Sequence, residues 1–322
     1  MRTAQRTAPA TGAVPTVSGV AVPDLSAVGG AIVWLAAVLA GALGTVPRVL
    51  TLAPLVLVPL GVGMAGYGPF PDRAARLLRA AVWLQPVGAL GFTASLALSV
   101  DGPTAAVLAA PWLLVTGLLG LAALVRTVDR GGFILPETAI DAGLAYVSVG
   151  TVALLLYHLD ITLWFASTII LLTAVHFHYA GFVLPIVTGL TGRSGQLDAR
   201  LWRSLVGVIL VGPAIIAVGI SFSPLVEVVA VGGFTVAVAL FGWYVLLRIA
   251  PTRPRLQAVL LGASAVALPV SMALALGYGV ATFSGLDLGL DIATMVALHG
   301  SLNAFGFALL GLAGWRVAVP SG

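Results

Sequence analysis

The chain consists of long apolar stretches separated by short polar connections. Most stretches run for about twenty residues with few charged side chains, which is long enough for a helix to cross a hydrocarbon core of about 30 Å. They are continuous and lack the alternation of polar and apolar side chains that is typical of a membrane β-barrel. Because a backbone in lipid must satisfy its own hydrogen bonds, each stretch predicts a helix.

Apolar length and the positions of proline, glycine and charged residues predict ten membrane-spanning helices. Their predicted bounds are 30–46, 49–67, 80–99, 104–126, 138–158, 161–189, 201–222, 224–248, 255–282 and 289–314. The segment 69–79 carries arginines at helical spacing and is predicted to be an amphipathic turn at the interface. The predicted fold class is therefore all-α, a polytopic integral membrane bundle of about ten helices.

A single transmembrane domain is predicted at residues 29–316. Residues 1–28 are rich in Ala, Thr, Pro and Val and lack a continuous apolar core, which predicts a flexible cytoplasmic tail rather than a signal peptide. Residues 317–322 are predicted to form a second short cytoplasmic tail. The sequence shows no clear internal repeat, which disfavours a transporter built from inverted repeats.

Composition excludes several function classes. Hydrophobic residues make up 60% of the chain and charged residues only 8%, whereas soluble domains carry about 25% charged residues. The net charge is +4, but all basic residues are arginines in short clusters between apolar stretches, so we predict basic loops and no nucleic-acid partner. Cysteine is absent, which excludes disulfides, thiolate catalysis and cysteine-ligated zinc.

The distribution of arginines predicts the orientation of the bundle. If the N-terminus lies inside, fourteen of the fifteen basic residues fall in inside segments and only Arg48 falls outside. Cytoplasmic connections carry an excess of basic residues. We therefore expect a multi-pass protein of the cell membrane with both termini in the cytoplasm.

Two polar clusters interrupt the apolar helices. The stretch "LLTAVHFHYAGFVLPIVTGL" places His176, His178 and Tyr179 in the sixth helix, and "LHGSLNAFGF" places His299 and Asn303 in the tenth. Both helices are expected to run in the same direction, and the two clusters overlap in depth, which predicts a shared pocket. Ionisable residues within a membrane usually mark function, so all five are candidate catalytic residues.

Two other interpretations of the histidines are open. A neutral histidine in a helical bundle can simply hydrogen-bond a carbonyl across a helix interface. Three histidines, His176, His178 and His299, would suit zinc or iron. However, residues two apart on a helix point in nearly opposite directions, and the chain has no HxxxH or ExxH pair. We therefore predict no metal and no cofactor.

The segments "HFHYAGFVLPIVTG" and "HGSLNAFGF", which begin at His176 and His299, resemble the YndJ-like family of bacterial and archaeal membrane proteins. Both segments lie in the second half of the chain, and their joint occurrence is specific. The resemblance implies a polytopic membrane protein. It supports the two segments as the site more than it supports any one activity.

Three functions are consistent with these patterns. The favoured one is an intramembrane enzyme that performs acid–base chemistry (cyclisation, dehydration or isomerisation) on a lipophilic small molecule, because histidine both accepts and donates protons. The alternative is a transporter or channel for a small solute or protons, with the histidines as a relay. The third is a non-catalytic membrane partner or sensor. A pocket open sideways to lipid would favour the enzyme, and a water path to both faces would favour transport.

Because the chain has no cysteine, single cysteines can test the predicted topology. Cysteines placed at Gly102 and Asp160 should react with a membrane-impermeant maleimide from outside intact cells. Cysteines at Gly132 and Gly195 should react only after the membrane is opened. Labelling of Gly195→Cys in intact cells would contradict the ten-helix topology.

Overall fold

The computed structural model describes residues 12–195 and 199–320. Ten of its helices are long and apolar enough to cross a membrane, which confirms the predicted all-α multi-pass fold. Their bounds are α1 Val22–Leu39, α2 Thr45–Ala65, α3 Asp72–Ala97, α4 Gly102–Asp129, α5 Glu137–His158, α6 Ser167–Arg193, α7 Arg200–Phe222, α8 Pro224–Thr252, α9 Arg255–Ser284 and α10 Ile292–Val317. Within the described residues the strands are one short antiparallel pair, β1 (Thr16–Val17) and β2 (Val20–Ala21).

The amino-terminal part of the chain differs from the prediction. Residues 22–28, predicted to belong to a flexible tail, form the first turns of α1. Pro23 lies in the first turn, where a missing N–H costs nothing, and Asp24 lies near the positive end of the helix dipole. Residues 1–11 of the predicted tail lie outside the described residues.

Two connections also differ from the prediction. The interfacial turn predicted at 69–79 is not a separate element, because from Asp72 onward it is the start of α3. The connection before α6 is longer than predicted, and α6 begins at Ser167. His158, the last residue of α5, is buried and hydrogen-bonds through Nε2 to the hydroxyl of Ser95 at 3.0 Å.

Helix α2 lies at the centre of the bundle, packed against α1, α3, α6 and α10. Almost all of its residues from Val49 to Ala65 are buried. Two glycines permit this close packing: Gly30 of α1 lies against the carbonyl of Leu55, and Gly61 lies against the ring of Phe182 in α6. Small residues at such contacts let helix backbones approach each other in a membrane.

A wide π-helical turn in α2, Ala53–Leu57, explains the role of a buried glutamine. In this turn the N–H of Val58 donates to the carbonyl of Ala53, five residues earlier. The same register would assign the N–H of residue 59 to Pro54, but Pro59 has no N–H. Gln85 of α3 donates to the Pro54 carbonyl instead, at 2.7 Å. Gln85 therefore compensates for a proline in the neighbouring helix.

Helices α6 to α10 form a ring. Consecutive members pack against each other, and α10 returns to contact the middle of α6. The terminal face is the end of the bundle where α1 begins and α10 ends, and the other end is the opposite face. At the terminal face Arg316 of α10 forms an ion pair with Asp24 of α1, which joins the last helix to the first.

Helix α5 packs closely on α6 because glycines lie between them. A Cβ atom at Gly150 would lie 2.7 Å from Nδ1 of His178 and 3.0 Å from the carbonyl of Ala174. A Cβ at Gly143 would lie 3.0 Å from the carbonyl of Phe182. The position of His178 therefore depends on the absence of a side chain at Gly150.

We predict that Gly150→Val destabilises the protein by about 1–3 kcal/mol, because the added methyl groups would overlap the ring of His178. The matched control is Gly117→Val in α4, where nothing lies within 4 Å of the added Cβ. Thermal unfolding of both variants in mild detergent measures the difference. Equal melting temperatures for the two variants would contradict the proposed close contact.

Candidate active site

The ring of helices α6 to α10 encloses a cavity of about 230 Å³. Most of its lining is apolar, and the polar side chains on it come from α6 and α10. Among the residues that the structure describes, no aspartate, glutamate or arginine lines it. The lining residues include Val49, Thr173, His176, Phe177, Tyr179, Ala180, Pro213, Ala217, Ile220, Phe234, Met272, His299, Asn303 and Phe307.

The π-helical turn Tyr179–Val183 in α6 directly follows the histidine pair. The N–H of Leu184 donates to the carbonyl of Tyr179, and Pro185 has no N–H to offer the carbonyl of Ala180 in the same register. Wide turns of this kind are frequent at functional sites. In α10, similar turns at Val296–Gly300 and Leu302–Leu309 carry the second polar cluster.

The hydrogen bonding of His176 determines which ring nitrogen faces the cavity as an acceptor. Its Nδ1 lies 2.7 Å from the carbonyl of Leu172. A carbonyl only accepts, so Nδ1 carries the hydrogen, and in a neutral imidazole Nε2 is then the unprotonated nitrogen. Among the described residues nothing hydrogen-bonds this Nε2. His176 therefore presents a free basic nitrogen on the cavity side of α6.

His299 is held by a network of three side chains. Its Nδ1 donates to the carbonyl of Ser271 at 2.9 Å, and its Nε2 accepts from Nδ2 of Asn303 at 3.1 Å. Nδ2 of Asn303 also donates to Oγ of Ser271 at 2.8 Å, and that hydroxyl donates to the carbonyl of His299 at 3.1 Å. Each donor therefore has an acceptor, and the network joins α10 to α9.

The two clusters meet as their shared depth predicted. The ring centroids of His176 and His299 are 6.3 Å apart, and Asn303 and Tyr179 line the same cavity. Nε2 of His176 is free, whereas both nitrogens of His299 are hydrogen-bonded, so a ligand oxygen reaches His299 only when the contact with Asn303 is exchanged. The arrangement thus combines a free acceptor, a second imidazole and a fixed amide around an apolar space.

His178 lies apart from this group. It is completely buried on the other side of α6, where its Nδ1 lies 2.7 Å from the carbonyl of Ala174. Its Nε2 accepts from Nε1 of Trp112 in α4 at 3.1 Å, and the edge of Phe92 packs against its ring. Both nitrogens are occupied, and His178 does not line the cavity. Its contacts are those of a structural residue.

Tyr179 lines the cavity but has a structural contact as well. Its hydroxyl donates to the carbonyl of Val49 at 2.7 Å, which fixes α6 to the central helix α2. The phenol oxygen is thereby engaged with the backbone. A ligand in the cavity would meet the ring of Tyr179 more readily than its hydroxyl.

A buried ion-pair cluster at the terminal face joins α2, α4, α5 and α6. Arg193 donates from Nε and Nη2 to the two carboxylate oxygens of Glu137, both at 2.7 Å, and also contacts the last carbonyls of α2. Arg126 donates to Asp141 at 2.7 Å and forms a second ion pair with Glu137. Arg130 donates to Asp141 at 2.8 Å. Glu137 is the first residue of α5 and is buried in this cluster.

Sequence reasoning missed Ser271, which hydrogen-bonds to both His299 and Asn303. Its signal was weak, because a single serine in an apolar helix usually bonds its own backbone. A second serine, Ser264, lies two turns earlier on the same face and donates to the carbonyl of Phe307 at 2.8 Å. The two serines, seven residues apart, both lie on the face of α9 that contacts α10. Within the described residues no group of three His, Asp or Glu side chains could hold a metal ion.

Similarity to known proteins covers this whole site. The sequence profile of a family described as "YndJ-like protein" matches residues 48–307. The chain belongs to the YndJ-like family. Every residue that lines the cavity, from Val49 to Phe307, falls within the matched range.

A curated member of the family is the "Uncharacterized membrane protein YndJ" of Bacillus subtilis (strain 168). It is 32% identical to this chain over 279 residues, which cover 84% of this chain and 50% of the relative. The chain therefore spans about half the length of this relative. No solved structure shows significant similarity to the chain.

We predict that the two histidines of α6 respond differently to substitution. His178→Leu removes the acceptor of a buried indole N–H, and an unsatisfied buried donor costs about 1–3 kcal/mol. His176→Leu, the matched variant, faces a cavity and leaves no donor of another residue unpaired. Thermal unfolding should therefore show a lower melting temperature for His178→Leu only. A larger loss in His176→Leu would contradict the structural role of His178.

Proposed function

We propose that this multi-pass membrane protein is an intramembrane enzyme that performs acid–base chemistry on a lipophilic small molecule. Cyclisation, dehydration and isomerisation are the reactions that proton transfer alone supports. The observation that carries the proposal is the free Nε2 of His176, a residue that lines an apolar cavity. The imidazole of His299 lines the same cavity, and the two ring centroids are 6.3 Å apart.

His176 is the proposed general base. Its Nδ1–H is bound to the Leu172 carbonyl at 2.7 Å, so the ring is already oriented with Nε2 towards the ligand. A positioned base of this kind contributes typically 10²–10⁴-fold to a rate. Orientation by a second hydrogen bond on the other nitrogen is the usual way in which a catalytic histidine keeps one tautomer.

His299 and Asn303 are proposed to bind and polarise the reacting oxygen. The Asn303 amide uses Nδ2 for Ser271 and His299, so its carbonyl oxygen is oriented by these two bonds. In this tautomer Nε2 of His299 is an acceptor, so His299 returns a proton only after it has taken one: when its contact with Asn303 is exchanged for one with the ligand, Nε2 takes a proton from one ligand atom and returns it to another. His178 and Tyr179 support the site by holding α6 to α4 and α2.

The alternative function is transport of a small solute or protons. A second cavity of about 70 Å³ shares His299, Gly300 and Val49 with the first and extends to Val46 and Ile292 near the opposite face. The two cavities therefore favour entry of a solute from the opposite face. Neither cavity is lined by residues of the terminal-face connections among the described residues, so a route across the whole bundle would need a second conformation.

We also propose that the terminal face lies in the cytoplasm of a cell membrane. Three of the arginines at this face, Arg126, Arg130 and Arg193, are engaged with carboxylates inside the bundle and say little about orientation. Arg73, Arg76 and Arg79 at the start of α3 are exposed at the same face, and they support the orientation through the positive-inside rule.

The test is to identify small molecules that co-purify with the protein in mild detergent and to follow their conversion. His176→Gln and His299→Gln keep much of the hydrogen-bonding capacity but remove proton transfer. Each should lower the rate by roughly 10²–10⁴-fold while the protein inserts and unfolds like the wild type. Asn303→Asp should also lower the rate, because the new charge could pair with an imidazolium.

Wild-type rates in both glutamine variants would contradict proton transfer by either histidine. Proton or solute flux in vesicles that contain only the purified protein, with no conversion of the co-purified molecule, would favour the transporter. Flux should then depend on His299, which lies between the two cavities.

A further inference from the structure

The ring around the cavity is incomplete on one side. Helix α6 packs against α7 mainly through its second half, from Tyr179 to Arg193. Its first half, Ser167–His178, packs against α5 and α2 instead. The two helices therefore diverge towards the opposite face. The gap between them lies at the depth of His176.

Contacts at both ends frame this gap. Towards the terminal face the hydroxyl of Tyr146 in α5 donates to the carbonyl of Leu210 in α7 at 3.0 Å. Towards the opposite face the ring of Trp164 contacts the ring of Phe222 at the end of α7, with centroids 6.4 Å apart. The gap is thus bounded by the aromatic pair on the side of the opposite face and by the hydrogen bond on the side of the terminal face.

The α7 residues along the gap are cavity-lining and still exposed. Ile220, which lines the cavity, is 47% exposed, and Ala217 beside it is exposed as well. Val218, which does not line the cavity, is 53% exposed on the outer side of the same helix. Only Gly212 and Gly219 are buried between residues 211 and 222, so α7 presents two exposed faces, one outward and one along the gap.

The cavity is too small to enclose a lipid-sized molecule. Its volume is about 230 Å³. Pockets that enclose drug-sized ligands measure about 300–1,000 Å³. A larger lipophilic ligand could therefore place only its reacting end here, and the remainder must leave through an opening.

The lining also limits the charge of that reacting end. Within the described part of the chain no Asp, Glu or Arg lines the cavity, and the polar groups available are imidazole, amide and hydroxyl groups. A charged ligand group would be desolvated there without an ionic partner, which is costly. A hydroxyl group needs only a hydrogen-bond acceptor, and Nε2 of His176 and the amide oxygen of Asn303 are acceptors.

From these observations we infer that the substrate is a long-chain lipid with an uncharged oxygen function near one end, which reaches the cavity sideways from the bilayer through the gap between α6 and α7. The polar end lies between the histidines, and the hydrocarbon tail extends past Ile220 and Ala217 into the lipid. This inference rests on the proposed function, because it names the substrate class of the same site.

The test uses a long-chain primary alcohol with a diazirine beside its hydroxyl end, added to phosphatidylcholine vesicles that contain the full chain. Irradiation should label the peptide that contains His176. Ile220→Trp and Ala217→Phe should each lower this labelling at least fivefold, because the larger side chains fill the gap. The matched control, Val218→Trp, should stay within twofold of the wild type. The carboxylate of equal length should label at least tenfold less than the alcohol.

Three results would overturn the inference, and they are distinguishable from failure of the proposed chemistry. Unchanged labelling in both gap variants would exclude this lateral route, and equal labelling by the carboxylate would exclude an uncharged head. No labelling of the wild-type cavity would overturn both the substrate class and the proposed site. Labelling needs no proton transfer, so labelled wild-type protein together with wild-type rates in both glutamine variants would refute the chemistry and leave the lateral route standing.

Discussion

The bundle depends on the ion pairs that two carboxylates at the start of α5 form with buried arginines. Glu137 and Asp141 bind arginines from α4 and α6, and Arg193 also reaches the end of the central helix α2. Charged groups removed from water are stable only when they are paired and hydrogen-bonded, and breaking such a pair typically costs 3–5 kcal/mol. The cluster therefore fixes the relative positions of four helices at the terminal face before the remaining apolar packing is considered.

The fixed position of α6 determines the shape of the candidate site. It is fixed at its end by Arg193, in the middle by the hydrogen bond of Tyr179 to α2, and on its α5 side by the contact of His178 with Gly150. Its first half is left without packing of comparable extent on the α7 side. A helix that is fixed on two sides and free on the third can line a cavity and still leave that cavity open to lipid.

The sequence was sufficient to predict the fold and to predict that the two polar segments meet, because an apolar stretch of membrane-spanning length has few structural interpretations. His176, Tyr179, His299 and Asn303 share a depth that could be counted along helices. Ser271 could not be found in this way, because its role depends on the rotation of α9 relative to α10.

The failures have similar physical causes. A charged residue near a helix end looks the same in sequence whether it lies at the lipid headgroups or in an ion pair inside the bundle. Only the packing of α4 on α5 shows that Arg126 and Glu137 form such a pair. The start of α1 was missed because Pro23 and Asp24 interrupt the apolar pattern, although both suit the first turn of a helix.

The fixed tautomers of the two cavity histidines have a stereochemical consequence. His176 and His299 each donate through Nδ1 to a backbone carbonyl, so neither ring is free to turn over. The two rings approach the cavity from different helices, and Asn303 lies beside only one of them. The two mirror-image faces of a flat ligand group between them would therefore meet different partners. Proton transfer in such a site would take place at one face, and the handedness of a new stereocentre would be set by the backbone of α6 and α9.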